Sequence, residues 1–82
     1  MMNKEGLRLY RQWAMGFYKS YNCLPDCLEE MNEYSDPEWT PEIEMLDAGC
    51  TKREIADIDR HYQNTMLGEI EDKILEMETA NA

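Results

Sequence analysis

The fold of this chain is decided by the stretch Thr51–Met77, which reads TKREIADIDRHYQNTMLGEIEDKILEM. It opens with a capping box, because Thr51 and Glu54 are spaced so that each side chain can satisfy a free backbone amide at a helix start. Apolar residues then recur at steps of three and four residues, at Ile55, Ile58, Tyr62, Met66, Ile70, Ile74 and Met77. Their mean step of about 3.7 residues is the period of a nearly straight apolar seam. The stretch therefore predicts one long C-terminal helix, interrupted only by Gly68.

The rest of the chain predicts shorter helices and no strand. Asn3 is a suitable N-cap for the first helix, and Pro25 and Pro41 suit the first turns of the next two. Gly49 ends the third. The predicted helices span about 4–21, 25–34, 41–48 and 51–77, followed by a frayed tail over 79–82. We therefore expect an all-α fold, a small helical domain of three or four helices.

The length of the chain bears on how it is stabilised. Its 82 residues make one domain, 1–82, and 43% of them are hydrophobic, which is enough to form a core. A chain this short buries only about 60–65% of its extended surface on folding. We therefore expect it to form a homo-oligomer or to complete its core on a partner.

The cysteines indicate a reducing compartment. Cys23, Cys27 and Cys50 are an odd number, and we find neither a secretory leader nor a transmembrane stretch. Reduced thiols in the cytoplasm are the simplest interpretation. Together with His61 these thiols lack the paired spacing of a structural zinc site. No nucleophile motif or phosphate-binding loop occurs, so we expect no metal, no cofactor and no enzymatic activity.

One nine-residue string is typical of a DNA-binding motif. Ala48–Ala56, which reads AGCTKREIA, is similar to the first helix of many bacterial helix-turn-helix regulators. The turn and the base-reading second helix do not follow it. DNA contact also needs cations to replace released counterions, whereas the net charge is −10. We expect a well-capped helix start and no direct binding of nucleic acid.

The charges are segregated along the chain. Residues 1–19 carry four bases and one acid, for a net charge of +3, whereas residues 20–82 carry four bases and seventeen acids, for −13. Such acidic runs usually form a solvated face. A sharper alternative is that the carboxylates stand in for phosphates, so that the chain inhibits a host protein that handles DNA or RNA.

The first helix combines cations with aromatic rings. Its four basic residues recur at helical steps beside an aromatic face, a pattern typical of a helix that meets an acidic partner or a membrane surface. The alternative is a purely structural role, in which the rings pack on the long helix. Tryptophan and arginine are enriched at binding hot spots. From residue type we expect the partner-contact residues to be Arg8, Arg11, Trp13 and Trp39.

A resemblance to a known family indicates what kind of partner to expect. The stretch Gly6–Trp13, which reads GLRLYRQW, and the acidic helical remainder resemble the RIII family of cytoplasmic antiholins, lysis-inhibition accessories of T-even bacteriophages. The resemblance implies a non-enzymatic regulator in the host cytoplasm. Such a regulator binds the cytosolic part of the membrane-embedded holin and delays lysis. No functional residue is carried over by a motif.

Overall fold

The computed structural model describes residues 2–80, with side chains through residue 79. Along the chain lie α1 (Lys4–Tyr21), α2 (Leu28–Glu33), α3 (Pro41–Asp47), α4 (Lys52–His61), a π-helical segment (Tyr62–Met66) and α5 (Leu67–Ala80). The last three are continuous and form the predicted long C-terminal helix. The all-α prediction is confirmed. Within residues 2–80 the only β-type pairing is an isolated bridge between Asp36 and Trp39.

Local caps define both ends of α1 and the start of α4. The Asn3 side chain accepts hydrogen bonds from the first free amides of α1. Asn22 ends this helix in the left-handed conformation, at φ 59°, and its amide donates to the Tyr18 carbonyl. At α4, Thr51 Oγ1 accepts from the Glu54 amide at 3.1 Å, and Glu54 Oε1 accepts from the Thr51 amide at 2.8 Å. The capping box predicted from the sequence is present.

The irregular part of the long helix lies at the π-helical segment and not at Gly68, which lies within α5. A step of four residues turns an α-helix about 40° beyond a full turn. Four such steps in succession, from Ile58 to Ile74, would carry the apolar seam away from the core. The wider turn, in which the Leu67 amide donates to the Tyr62 carbonyl, removes part of this rotation. Tyr62 and Met66 both remain fully buried as a result.

The second helix begins later than predicted. Pro25 was expected in its first turn, yet α2 starts at Leu28. Pro25 is instead buried in the connection from α1, where its carbonyl accepts a 2.6 Å hydrogen bond from the Tyr62 hydroxyl. Cys27, at the N-cap position, provides no side-chain cap. Asp59 of α4 replaces it by accepting from the Leu28 amide at 2.9 Å.

The remaining helix ends differ from the prediction by a few residues. α3 ends at Asp47, one residue early, and the long helix continues to Ala80 instead of ending at Met77. Residues 79 and 80 of the predicted frayed tail are thus helical. Residues 81 and 82 lie outside the described part of the chain.

The core lies between the aromatic face of α1 and the seam of the long helix, and α2 and α3 cover one side. Its buried apolar residues are Leu9, Tyr10, Ala14, Phe17, Leu28, Met31, Met45, Cys50, Ile55, Ile58, Tyr62 and Met66. The Tyr10 and Tyr62 rings pack with centroids 4.7 Å apart. The Tyr10 hydroxyl donates to Asp59 Oδ1 at 2.6 Å. The core therefore takes up only part of the aromatic face of α1. Tyr10 and Phe17 are buried, whereas Trp13 is half-buried and Tyr21 is exposed.

Candidate protein-interaction groove

An open groove runs between α1 and the connection from α2 to α3. Its volume is about 700 Å³. Five aromatic side chains line it, Trp13, Phe17, Tyr21, Tyr34 and Trp39, and we call it the aromatic groove. Three of them come from α1 at four-residue steps, so they share one helix face.

Three rings of the groove form a cluster that still faces water. Phe17 lies at its base, with ring centroids 4.7 Å from Tyr21 and 5.6 Å from Tyr34. Tyr21 and Tyr34 are 5.3 Å apart and are 51% and 60% exposed. Aromatic pairs at such distances contribute about 0.5–1.5 kcal/mol beyond burial. Tyr21 and Tyr34 therefore pack on Phe17 while much of their own surface remains available.

A tight turn places Trp39 on the far wall. The Trp39 amide donates to the Asp36 carbonyl at 2.9 Å, and the Glu38 amide donates to the Asp36 carboxylate at 2.9 Å. The Ser35 hydroxyl also donates to the Met31 carbonyl at 2.6 Å. Asp36 thus closes the turn with both backbone and side chain. Trp39 remains 41% exposed on a connection whose backbone is well hydrogen-bonded.

The near wall contains a tryptophan that is already hydrogen-bonded. Trp13 Nε1 donates to Glu44 Oε2 at 2.6 Å, which ties α1 to α3. Trp13 is half-buried, so it offers a ring face to the groove and has no free N–H for a partner. The carboxylates of Asp36 and Glu44 also line the groove. The charged groups of the groove are therefore both carboxylates.

The basic residues of α1 occupy the next face round the helix. An open surface there, which we call the cationic face, is lined by Lys4, Leu7, Arg8, Arg11, Met15 and Lys19, with Gln12 and Gly16 at its edge. Arg8 forms a two-pronged ion pair with Glu5 one turn earlier, and this bond holds the pKa of the Glu5 carboxyl below its ordinary value. It is the only ion pair among residues 2–80.

The structure therefore divides the four predicted contact residues between two surfaces. Trp13 and Trp39 line the aromatic groove, whereas Arg8 and Arg11 lie on the cationic face. Gln12 and Gly16 belong to both surfaces, so these adjoin along α1. The sequence prediction did not single out Tyr34, since nothing local shows that it meets the α1 rings.

The three cysteines lie in different environments. Cys23 is exposed, Cys27 is half-buried and Cys50 is buried, and all three are free thiols. Burial raises the pKa of the Cys50 thiol. Across residues 2–80 no three histidine, cysteine or acidic side chains are grouped so as to hold a metal ion.

Comparison of the chain with protein-family models, with curated proteins and with solved structures found no match. Among the helices of residues 2–80, none is both long and apolar enough to cross a membrane.

Proposed function

We propose that this protein is a non-enzymatic regulatory module that captures a short amphipathic segment of a partner protein in the aromatic groove. The observation that carries the proposal is the groove itself, in which clustered rings remain exposed between α1 and the connection from α2 to α3. Large rigid aromatic side chains contribute most to binding per residue, because little conformational freedom is lost when they are covered. Amphipathic helices commonly bind in such grooves.

The charge around the groove indicates what kind of segment fits. Residues 20–51 contain nine acids and no lysine or arginine. Asp36 and Glu44 place two of these acids in the groove. A complementary segment carries basic residues on its flanks and apolar residues on the face that enters the groove.

Cytosolic segments next to membrane spans have this composition. Short loops on the cytoplasmic side of membrane proteins carry an excess of lysine and arginine. The resemblance to the RIII antiholins makes the cytosolic part of a holin the first candidate, and capture of that segment would delay lysis. In this proposal Trp39 and Trp13 are contact residues, while Arg8 and Arg11 lie beside the bound segment.

The first test measures binding of a synthetic peptide that contains the cytosolic segment of a T-even phage holin, by isothermal titration calorimetry. Trp39→Ala and Tyr34→Ala should each weaken binding by at least about tenfold, since each removes an exposed ring. Tyr18→Ala is the matched control, because Tyr18 lies outside the groove and donates to Glu78 at 3.0 Å. Equal binding by all variants would show that the groove is not the site.

A second set of variants tests the charge of the groove. Asp36→Asn with Glu44→Gln removes both charges but keeps an acceptor for the Glu38 amide and for Trp13. This pair should weaken binding several-fold and reduce its dependence on salt. Asp47→Asn with Glu29→Gln changes the net charge equally on exposed positions outside the groove and should leave binding unchanged.

The acidic-mimic alternative uses other carboxylates. It is favoured by one observation, that no acid of residues 2–80 other than Glu5 forms an ion pair. This alternative predicts that the protein, when immobilised, retains a host protein that handles DNA or RNA. That complex would dissociate in moderate salt and would be lost with Asp47→Asn and Glu29→Gln but not with Trp39→Ala.

A further inference from the structure

The last turns of α5 carry an acidic face centred on an exposed leucine. Asp72, Leu75, Glu76 and Thr79 lie together on the helix surface, at helical spacings of three and four residues. Leu75 is 63% exposed. Within the described residues neither Asp72 nor Glu76 has a cationic partner. We call this surface the acidic face of α5.

The cationic face of α1 has the same layout with the opposite charge. Lys4, Leu7, Arg8 and Arg11 repeat the spacing of the four residues on α5, so a leucine again lies among charged groups. The three bases are exposed, and Leu7 is half-buried. Of these three bases only Arg8 forms an ion pair with an acid of its own chain, whereas Lys4 and Arg11 have no ion-pair partner in residues 2–80.

The cationic face continues into an apolar cleft between α1 and α5. Arg11 and Met15 line both surfaces, and the cleft has a volume of about 280 Å³. Its other side is lined by Met66 of the π-helical segment and by Ile70, Ile74 and Met77 of α5, with Glu69 and Lys73 at the edge. Met77 is 66% exposed. A helix that lies along the cationic face would therefore also cover apolar surface that this chain leaves open.

We propose that the acidic face of α5 in one copy docks on the cationic face of α1 in a second copy, and that two such contacts form a symmetric homodimer. In each contact Leu75 packs on Leu7, and the carboxylates of Asp72 and Glu76 meet the bases around Leu7. In this dimer a two-fold axis relates the two contacts, so that each chain offers its acidic face and receives that of its partner. If two copies paired identical faces, like charges would lie opposite each other. Charge therefore favours the pairing of an acidic face with a cationic face.

The test is a charge-exchange experiment read by sedimentation velocity at about 0.1 M NaCl, where charges more than about 10 Å apart are largely screened. One variant carries Lys4→Glu and Arg11→Glu, and the other carries Asp72→Lys and Glu76→Lys. Each alone should dimerise at least about a hundredfold more weakly than the wild type, since each contact then opposes like charges. An equimolar mixture should form heterodimers with near wild-type affinity, because both contacts regain opposite charges.

Matched controls carry the same changes elsewhere. Lys52→Glu with Arg53→Glu, and Asp47→Lys with Asp57→Lys, alter exposed residues away from both faces and should leave the dimer intact. Circular dichroism verifies that each variant is folded. A wild type that stays monomeric at high concentration would overturn the proposal. So would charge-reversed variants that still dimerise, or folded variants that fail to associate when mixed.

Discussion

At Gly6, α1 approaches α4 so closely that a side chain has no room. A methyl group built there would lie 2.7 Å from Ile58 Cδ1 and 2.8 Å from Cys50 Sγ. Both neighbours are buried, so neither can move without repacking of the core. Helix propensity alone would treat Gly6 as a weakness in α1. The packing instead makes it the residue that sets the distance between the two helices.

This contact predicts opposite effects for two substitutions of the same kind. Gly6→Ala should lower the free energy of unfolding by about 1–3 kcal/mol, because overpacking outweighs the gain in helix propensity. Gly68→Ala has open space around the added methyl group and should raise it by about 0.5–1 kcal/mol. Urea unfolding followed by circular dichroism measures both. A stabilised Gly6→Ala variant would contradict the close approach.

At the scale of the elements, the π-helical segment adjusts the phase of the long helix. Gln63, Asn64 and Thr65 are exposed within it, while Tyr62 and Met66 on either side are buried. One extra residue in the turn brings two side chains four positions apart into closer alignment on the core. An ordinary α-helix also places residues four positions apart on one face, but about 40° out of line, and the π turn reduces this offset.

A deletion tests this interpretation. Removal of Asn64 should convert the segment to α-helix and keep both flanking side chains buried, so the free energy of unfolding should fall by no more than about 1 kcal/mol. Removal of Asp57, an exposed residue of α4, rotates Ile58 by about 100° relative to Ile55 and should destabilise the protein by several kcal/mol. Thermal unfolding of the two variants gives the comparison. Equal losses would mean that the π turn does not set the phase.

The elements also show why some helix boundaries were predicted correctly and others were not. The start of α4 depends on Thr51 and Glu54, which are neighbours in sequence, so the capping box was visible there. The start of α2 depends on Asp59, which is thirty-one residues away in the chain. A local pattern contains no sign of that cap, and Pro25 was therefore placed in the helix.

At the scale of the whole molecule, two buried tyrosines set an alkaline limit to stability. Burial raises the pKa of both Tyr10 and Tyr62, and the Asp59 carboxylate that accepts from Tyr10 raises the pKa of Tyr10 further. In the unfolded chain these hydroxyls titrate at about pH 10. The folded state therefore keeps protons that the unfolded state loses. The stabilisation is fully present below about pH 10 and is lost as the pH rises above it.

The expected slope is about 1.4 kcal/mol per pH unit for each buried tyrosine. Above about pH 10 the free energy of unfolding of Tyr62→Phe should therefore fall less steeply, by about 1.4 kcal/mol per pH unit. It should also lower the free energy of unfolding at neutral pH by about 1 kcal/mol, since the bond to the Pro25 carbonyl is lost. Urea unfolding at several alkaline pH values measures the slope. An unchanged slope would show that Tyr62 is not protected from ionisation.

The candidate site illustrates what sequence patterns leave open over the whole molecule. Residue type was sufficient to select Trp13 and Trp39, and helix spacing was sufficient to place Arg8 and Arg11 on a common face. The convergence of Tyr34 with the α1 rings depends on how α2 and the following turn pack, which no local spacing encodes. The sequence therefore singled out two of the five rings that line the groove, but it did not predict the groove itself.

Both tryptophans of the chain line the same groove. One indole is half-buried and bonded to a carboxylate, and the other is exposed to water, so they sense different surroundings. Occupation of the groove would shift the emission of Trp39 to the blue, while unfolding would change both indoles. Trp39 fluorescence thus reports on the groove. In a Trp13→Phe variant Trp39 is the only tryptophan, so binding in the groove could be followed without an added dye.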